Sequence, residues 1–87
     1  MDLSVTVYST PGCVQCAAAC RALDKAGIGY TTLNLADETN AAARAWVTED
    51  LGYSQAPVVV VDQDPEHHWS GYRPDQIAGL ARAVGQS

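Results

Sequence analysis

Val58-Val59-Val60-Val61 constrains the fold of this chain more than any other segment. Consecutive β-branched residues favour a strand, and successive side chains of a strand point to opposite faces. An unbroken apolar run therefore needs cover on both sides, which places the strand in the middle of a sheet. At 87 residues the chain has room for one domain, 1–87, with one modest core, and its 47% apolar content fits a globular fold.

The flanking segments supply the rest of that sheet. Leu3-Ser4-Val5-Thr6-Val7-Tyr8 alternates apolar and polar residues and reads as a first strand. Ser9-Thr10-Pro11-Gly12 is a turn, and Cys13 to Ala26 is a run of helix formers with Gly27 at the C-cap position. Ile28 through Leu35 reads as a second strand, with Thr31, Leu33 and Leu35 on one face and Tyr30, Thr32 and Asn34 on the other. Strand, helix, strand over about 30 residues is a βαβ unit, expected to be parallel and right-handed. Asp37-Glu38-Thr39-Asn40 offers caps for a second helix over Ala41–Leu51, closed by Gly52. After the valine strand, Asp62-Gln63-Asp64-Pro65-Glu66 reads as a polar turn and His67-His68-Trp69-Ser70 as a short returning strand. Pro74-Asp75 suits the first turn of a third helix, in which Ile77, Leu80, Ala81 and Val84 make one apolar stripe. The order βαβαββα is the minimal thioredoxin arrangement: an α/β fold with a four-stranded mixed sheet flanked by three helices.

Cys13-Val14-Gln15-Cys16 falls at the first strand-to-helix junction, and open α/β sheets place ligands at the carboxyl ends of strands. Thiol–disulfide exchange needs one sulfur to attack and a second close enough to close a disulfide and release the product. A cysteine opening a helix meets unpaired N–H groups and the positive end of the macrodipole, which favour its thiolate. The same spacing is also half of a zinc site, for which Cys20 and His67 or His68 would have to complete the ligands. Cys20 lies about 10 Å from Cys13 along the helix at ~1.5 Å per residue, too far to bridge directly, and reads as a small buried or half-buried hydrophobe, with a regulatory thiol as the second reading. His67 and His68 read as solvated, Trp46 as a packing residue and Arg44 as a surface charge.

Ten acidic against five basic side chains leave a net charge of −5 without a basic cluster, so nucleic acid is not an expected partner. No apolar run reaches the roughly 18 residues of a membrane span. Met1-Asp2-Leu3-Ser4 lacks the basic and apolar regions of a signal peptide, so the cytoplasm is the expected location, where a CxxC pair is expected to be catalytic or metal-binding rather than part of a disulfide scaffold.

Three separated motifs resemble one family, the NrdH-type redoxins. The first is Cys13-Val14-Gln15-Cys16 followed by Arg21-Ala22-Leu23-Asp24; the second is Gln55-Ala56-Pro57-Val58-Val59. The third, Trp69-Ser70-Gly71-Tyr72-Arg73-Pro74-Asp75, is similar to a Trp-Ser-Gly-Phe-(Lys/Arg)-Pro-Asp signature. The resemblance runs from about Val5 to Leu80. It implies a glutaredoxin-like fold with thioredoxin-like behaviour: a monomer, without a bound cofactor or metal, that takes electrons from NADPH through thioredoxin reductase and delivers them to the large subunit of a class Ib ribonucleotide reductase. On this resemblance Cys13 and Cys16 are the catalytic pair. Val14, Gln15, Ala56, Pro57 and the rim Trp69, Ser70, Gly71, Tyr72 and Arg73 contact the partner, although Trp69 and Tyr72 read equally as core aromatics. Ala56-Pro57 takes the place of a cis X-Pro pair facing the dithiol, whose backbone pairs with an extended segment of the target; read without the family, a trans proline at an edge is the default. Two positions depart from the pattern. Thr10 stands where these redoxins and glutaredoxins often carry Lys or Arg, and Tyr72 replaces Phe. The alternatives are a general protein disulfide reductase, a glutathione-dependent glutaredoxin, which the missing cation at Thr10 and the absent Gly-Gly-Asp segment disfavour, and a thiol metal-binding module.

Overall fold

All four valines of Val58–Val61 are buried, and they form an interior strand, as their pattern requires. The computed structural model describes residues 4–85. In chain order the strands are β1 (Ser4–Ser9), β2 (Gly29–Asn34), β3 (Val58–Val61) and β4 (Asp64–Ser70), and they make one sheet in the order β2-β1-β3-β4. β1 runs parallel to β2 and antiparallel to β3, which is antiparallel to β4. The helices are α1 (Val14–Ala26), α2 (Ala41–Ala45, after a 3-10 turn at Glu38–Asn40) and α3 (Pro74–Gly85). This is the expected thioredoxin arrangement. Leu3 lies outside the described residues, as does the side chain of Val84.

Strand alternation divides the core in two. Val5, Val7, Val59, Val61 and Trp69 point to one face and pack with Leu23 of α1, Ile28, and Ile77 and Leu80 of α3. Val58 and Val60 point to the other and pack with Leu35 and Val47. Gly27 ends α1 in the left-handed region at φ 75°, where its N–H bonds the Asp24 carbonyl and the Ile28 N–H bonds that of Leu23. A glycine takes that conformation without a Cβ penalty.

Two elements differ from expectation. The second helix is not uniform to Leu51: it widens to π geometry over Trp46–Asp50, closed by Leu51 N–H to the Trp46 carbonyl at 3.1 Å. Thr48 Oγ1 bonds the Arg44 carbonyl at 2.9 Å, a side-chain competitor for a helical acceptor. The adjacent Trp46 and Val47 then both pack on the second core cluster, Trp46 against Tyr8 at 5.8 Å between ring centroids. The polar turn is also shorter than expected, because β4 already begins at Asp64, paired with Val61. Asp62 is clasped to β1 by the hydroxyls of Ser4 (2.8 Å) and Thr6 (2.7 Å), which folds the chain back within two residues. Pro65 is tolerated in β4 because that strand is the sheet edge.

Three side chains read as surface groups are tied into the structure. His67 and His68 are half-buried; His68 Nδ1 bonds the Tyr53 hydroxyl at 2.8 Å, and His67 Nε2 lies 3.4 Å from Gln76 Oε1. Arg44 Nη1 donates to the Leu35 carbonyl at 2.9 Å, satisfying the backbone just beyond β2.

Candidate active site

No Ser, Thr, Asp or Asn stands at the start of α1. Cys13 takes the N-cap position, and its sulfur accepts the N–H of Cys16 at 3.1 Å. A cap accepts from one of the first-turn N–H groups that lack helical partners, and a thiolate is a stronger acceptor than a thiol. The first turn of α1 contains no acidic residue to oppose that charge. Cys13 and Cys16 are joined in a disulfide, with their Cα atoms 5.2 Å apart. They are not equivalent: Cys13 is half-buried at the surface, whereas Cys16 is 5% exposed.

The intervening pair splits its duties. Val14 is 80% exposed beside the disulfide. Gln15, also exposed, reaches across the surface, and its Oε1 accepts the Tyr72 N–H at 3.2 Å, across 57 positions of sequence. The neighbouring Gly71 N–H bonds the Pro57 carbonyl at 2.7 Å, and the Ala56-Pro57 peptide is cis. Ser70 Oγ bonds the Gln55 carbonyl at 3.1 Å. These bonds gather all three motifs around the dithiol. Gly71 sits at φ 86°, a left-handed conformation that favours glycine; a Cβ there would meet Gln15 Oε1 only at ordinary contact distance, 3.6 Å.

The rim is smaller than the motif suggested. Tyr72 is 41% exposed and forms a wall of the surface, but Trp69 is 4% exposed and belongs to the core with Val59 and Ile77. The strand period is the reason: Trp69 lies on the inward face of β4, opposite Val59. Arg73 is exposed and paired with Asp75 at 2.9 Å, and that bond raises the guanidinium's already high pKa and lowers the carboxyl's.

A cleft of about 510 Å³ opens beside the disulfide, lined by Thr10, Cys13, Cys16, Cys20 and Thr32 among others. Thr10 also lines a second cleft of about 270 Å³ with Arg44, Tyr53, Gln55 and Ala56, a role its sequence position did not suggest. Cys20 packs against the core as expected; burial, then the Asp24 carboxylate, raises its thiol pKa, and the Tyr30 hydroxyl opposes them. It is therefore a protonated thiol at neutral pH. Among the described residues no three His, Cys, Asp or Glu side chains converge as a cation would require. With Thr10 and Cys13 lining one cleft, Thr10→Lys should lower the pH at which the reduced Cys13 thiol ionises. Its alkylation at neutral pH should rise about threefold, since the thiolate is the nucleophile. Thiolate absorbance followed against pH checks this, and an unchanged titration would mean that position 10 points away from the sulfur.

A half-exposed sulfur capping a helix and a buried partner one turn on, carried on this sheet, define a thiol–disulfide oxidoreductase with a redox-active cysteine pair. The glutaredoxin family model matches residues 5–66. The chain belongs to the glutaredoxin family, among its NrdH-type redoxins. It is 36% identical over 78 residues to the glutaredoxin-like protein NrdH of Escherichia coli, spanning 90% of this chain and 89% of that protein. It is 30% identical over 77 residues to the glutaredoxin-like protein NrdH of Lactococcus lactis, spanning 88% and 99%. The structure of the Escherichia coli NrdH-redoxin, a glutaredoxin-like protein with a thioredoxin-like activity profile, matches with a TM-score of 0.71 at 34% identity, over 88% of this chain and 93% of that one. Among the described residues no helix is long and apolar enough to cross a membrane.

Proposed function

We propose that this chain is a cytoplasmic, monomeric electron carrier that reduces the large subunit of a class Ib ribonucleotide reductase and is itself reduced by thioredoxin reductase. The observation that carries this reading is the asymmetry of the cysteine pair within an NrdH-like scaffold. The Cys13 thiolate attacks the target disulfide, forming a Cys13–target bond and releasing one target thiolate. Cys16 then attacks Cys13 Sγ, closing the Cys13–Cys16 disulfide and releasing the second. Two electrons pass to the target, whose sulfurs take up two protons. The chain needs no cofactor of its own; NADPH acts through thioredoxin reductase, which reopens the disulfide.

Val14, between the two cysteines, and Tyr72, whose N–H bonds Gln15, are the large hydrophobics exposed among the described residues and offer a protein partner an apolar landing. The Ala56 backbone, with Ser70, Gly71 and Arg73, borders the place for an extended tail. Glutathione is the weaker donor in this reading: Thr10 brings no cation to the thiol, and Arg73 is already paired with Asp75.

With NADPH, thioredoxin reductase and a class Ib enzyme, the protein should convert single-turnover deoxynucleotide synthesis into multiple turnover. Glutathione with its own reductase should support about a tenth of that rate or less, the carboxylates of the tripeptide lacking partners. Equal rates with the two donors would overturn the assignment of the donor. A reaction halted at one turnover, while other protein disulfides are reduced, would overturn that of the target.

A further inference from the structure

Beyond the dithiol and its rim, a separate groove of about 350 Å³ runs beside α1, lined by Ala18, Arg21, Ala22, Lys25 and Tyr72. Positions 18, 21, 22 and 25 repeat at helical spacing and so share one face. Tyr72 closes one side, held over the first turn of α1 by its backbone bond to Gln15. The charge here is opposite to that of the whole protein. The chain carries ten acidic and five basic residues, yet two of those five, Arg21 and Lys25, line this groove. Of the nearby carboxylates, Asp75 pairs with Arg73, and Asp24, which keeps its charge, is not among the groove's lining residues and accepts the Tyr30 hydroxyl at 3.0 Å. Arg21 and Lys25 form no ion pair among the described residues.

We infer that this groove receives an extended, acidic stretch of the substrate protein next to its target disulfide. The inference rests on the disulfide-reductase reading and adds a rule of substrate choice to it. Alanines at 18 and 22 let a chain approach the helix closely, the Tyr72 ring packs on its backbone, and the two cations meet its carboxylates. The geometry fixes where those carboxylates belong. Arg21 and Lys25 lie ~12 and ~18 Å beyond Cys13 along the helix axis at ~1.5 Å per residue. An extended chain covers ~3.3 Å per residue, so a cysteine bonded to Cys13 puts its acidic neighbours about four to six positions away. Field complementarity of this kind acts on the encounter rate and is screened by salt.

The test uses two disulfide-bonded peptides that differ only in carrying Glu or Gln at the fourth to sixth positions on both sides of the cysteine. The neutral bis(2-hydroxyethyl) disulfide serves as a control. At low salt the wild-type protein should reduce the Glu peptide about three- to tenfold faster than the Gln peptide, and about 0.5 M salt should remove the difference. The double variant Arg21→Glu/Lys25→Glu should prefer the Gln peptide while reducing the control at the wild-type rate, which also reports an intact fold. Equal rates for the two peptides with wild type, or an acidic preference that survives the charge reversal, would overturn the inference and leave the reductase intact. Failure to reduce the control as well as both peptides would bring down the reductase reading and this inference with it.

Discussion

Cys13→Ser should abolish disulfide reduction, a loss of roughly a thousandfold or more, because the attacking sulfur is gone. Cys16→Ser should instead accumulate covalent adducts with target proteins. The assignment follows from position. Cys13 occupies the cap, where its sulfur accepts the Cys16 N–H at 3.1 Å and remains accessible from the cleft. Cys16 lies one turn inside the helix at 5% exposure, within reach of Cys13 and screened from an incoming disulfide. Removing the resolving sulfur leaves the mixed disulfide with no internal attacker. Non-reducing electrophoresis with a disulfide-bonded target separates the variants: adducts with Cys16→Ser and none with Cys13→Ser. Equal trapping by both would mean that the roles are shared or reversed.

Trp69→Ala should destabilise the protein by about 3–5 kcal/mol, the range for emptying a large buried aromatic site. In a domain of 87 residues that is a large share of the total stability. Trp69 is 4% exposed, packed with Val59, Leu80 and Ile77, and its Nε1 is buried without a hydrogen-bond partner among the described residues. An unpartnered buried N–H is itself unfavourable by ~1–3 kcal/mol. Trp69→Phe removes that group along with some packing area, so the two effects offset and the change should stay within about 1 kcal/mol. Urea denaturation of both variants decides the matter. If Trp69→Ala kept wild-type stability and lost only protein-target reduction, the side chain would belong to the docking rim after all.

Wherever one residue and its chain neighbours decide the outcome, the sequence was sufficient. Four valines in a row demanded a doubly covered strand, Gly27 marked the end of α1, and the helix start explained why Cys13 differs from Cys16. The departures come from contacts between distant segments. Asp64 to Glu66 look like loop residues because strand patterns presuppose a buried face, and an edge strand that meets water tolerates acids and a proline there. The widened turn after α2 contains Thr48, whose hydroxyl bonds the Arg44 carbonyl, a contact that an alanine-rich helix pattern leaves open. For Trp69 the motif leaves core and rim equally open, and only the alternation of β4 against Val59 turns it inward. The groove on α1 had a legible component in the spacing of Arg21 and Lys25. Its other wall, Tyr72, arrives only through the tertiary bond to Gln15.

That bond has a bearing on how such proteins can be re-engineered. The dipeptide between two redox cysteines invites treatment as an interchangeable cassette, to be swapped between scaffolds to reset their chemistry. Here the second residue of the dipeptide is also a structural fastener, since its amide oxygen is the acceptor for the Tyr72 N–H. Grafting Pro-Tyr or Gly-Pro into positions 14 and 15 would change the thiols and remove one of the bonds that hold the 71–73 turn in a single step. The transplantable unit is therefore a pair of segments, the four residues of the dithiol and the turn that clips onto them, inherited together or not at all.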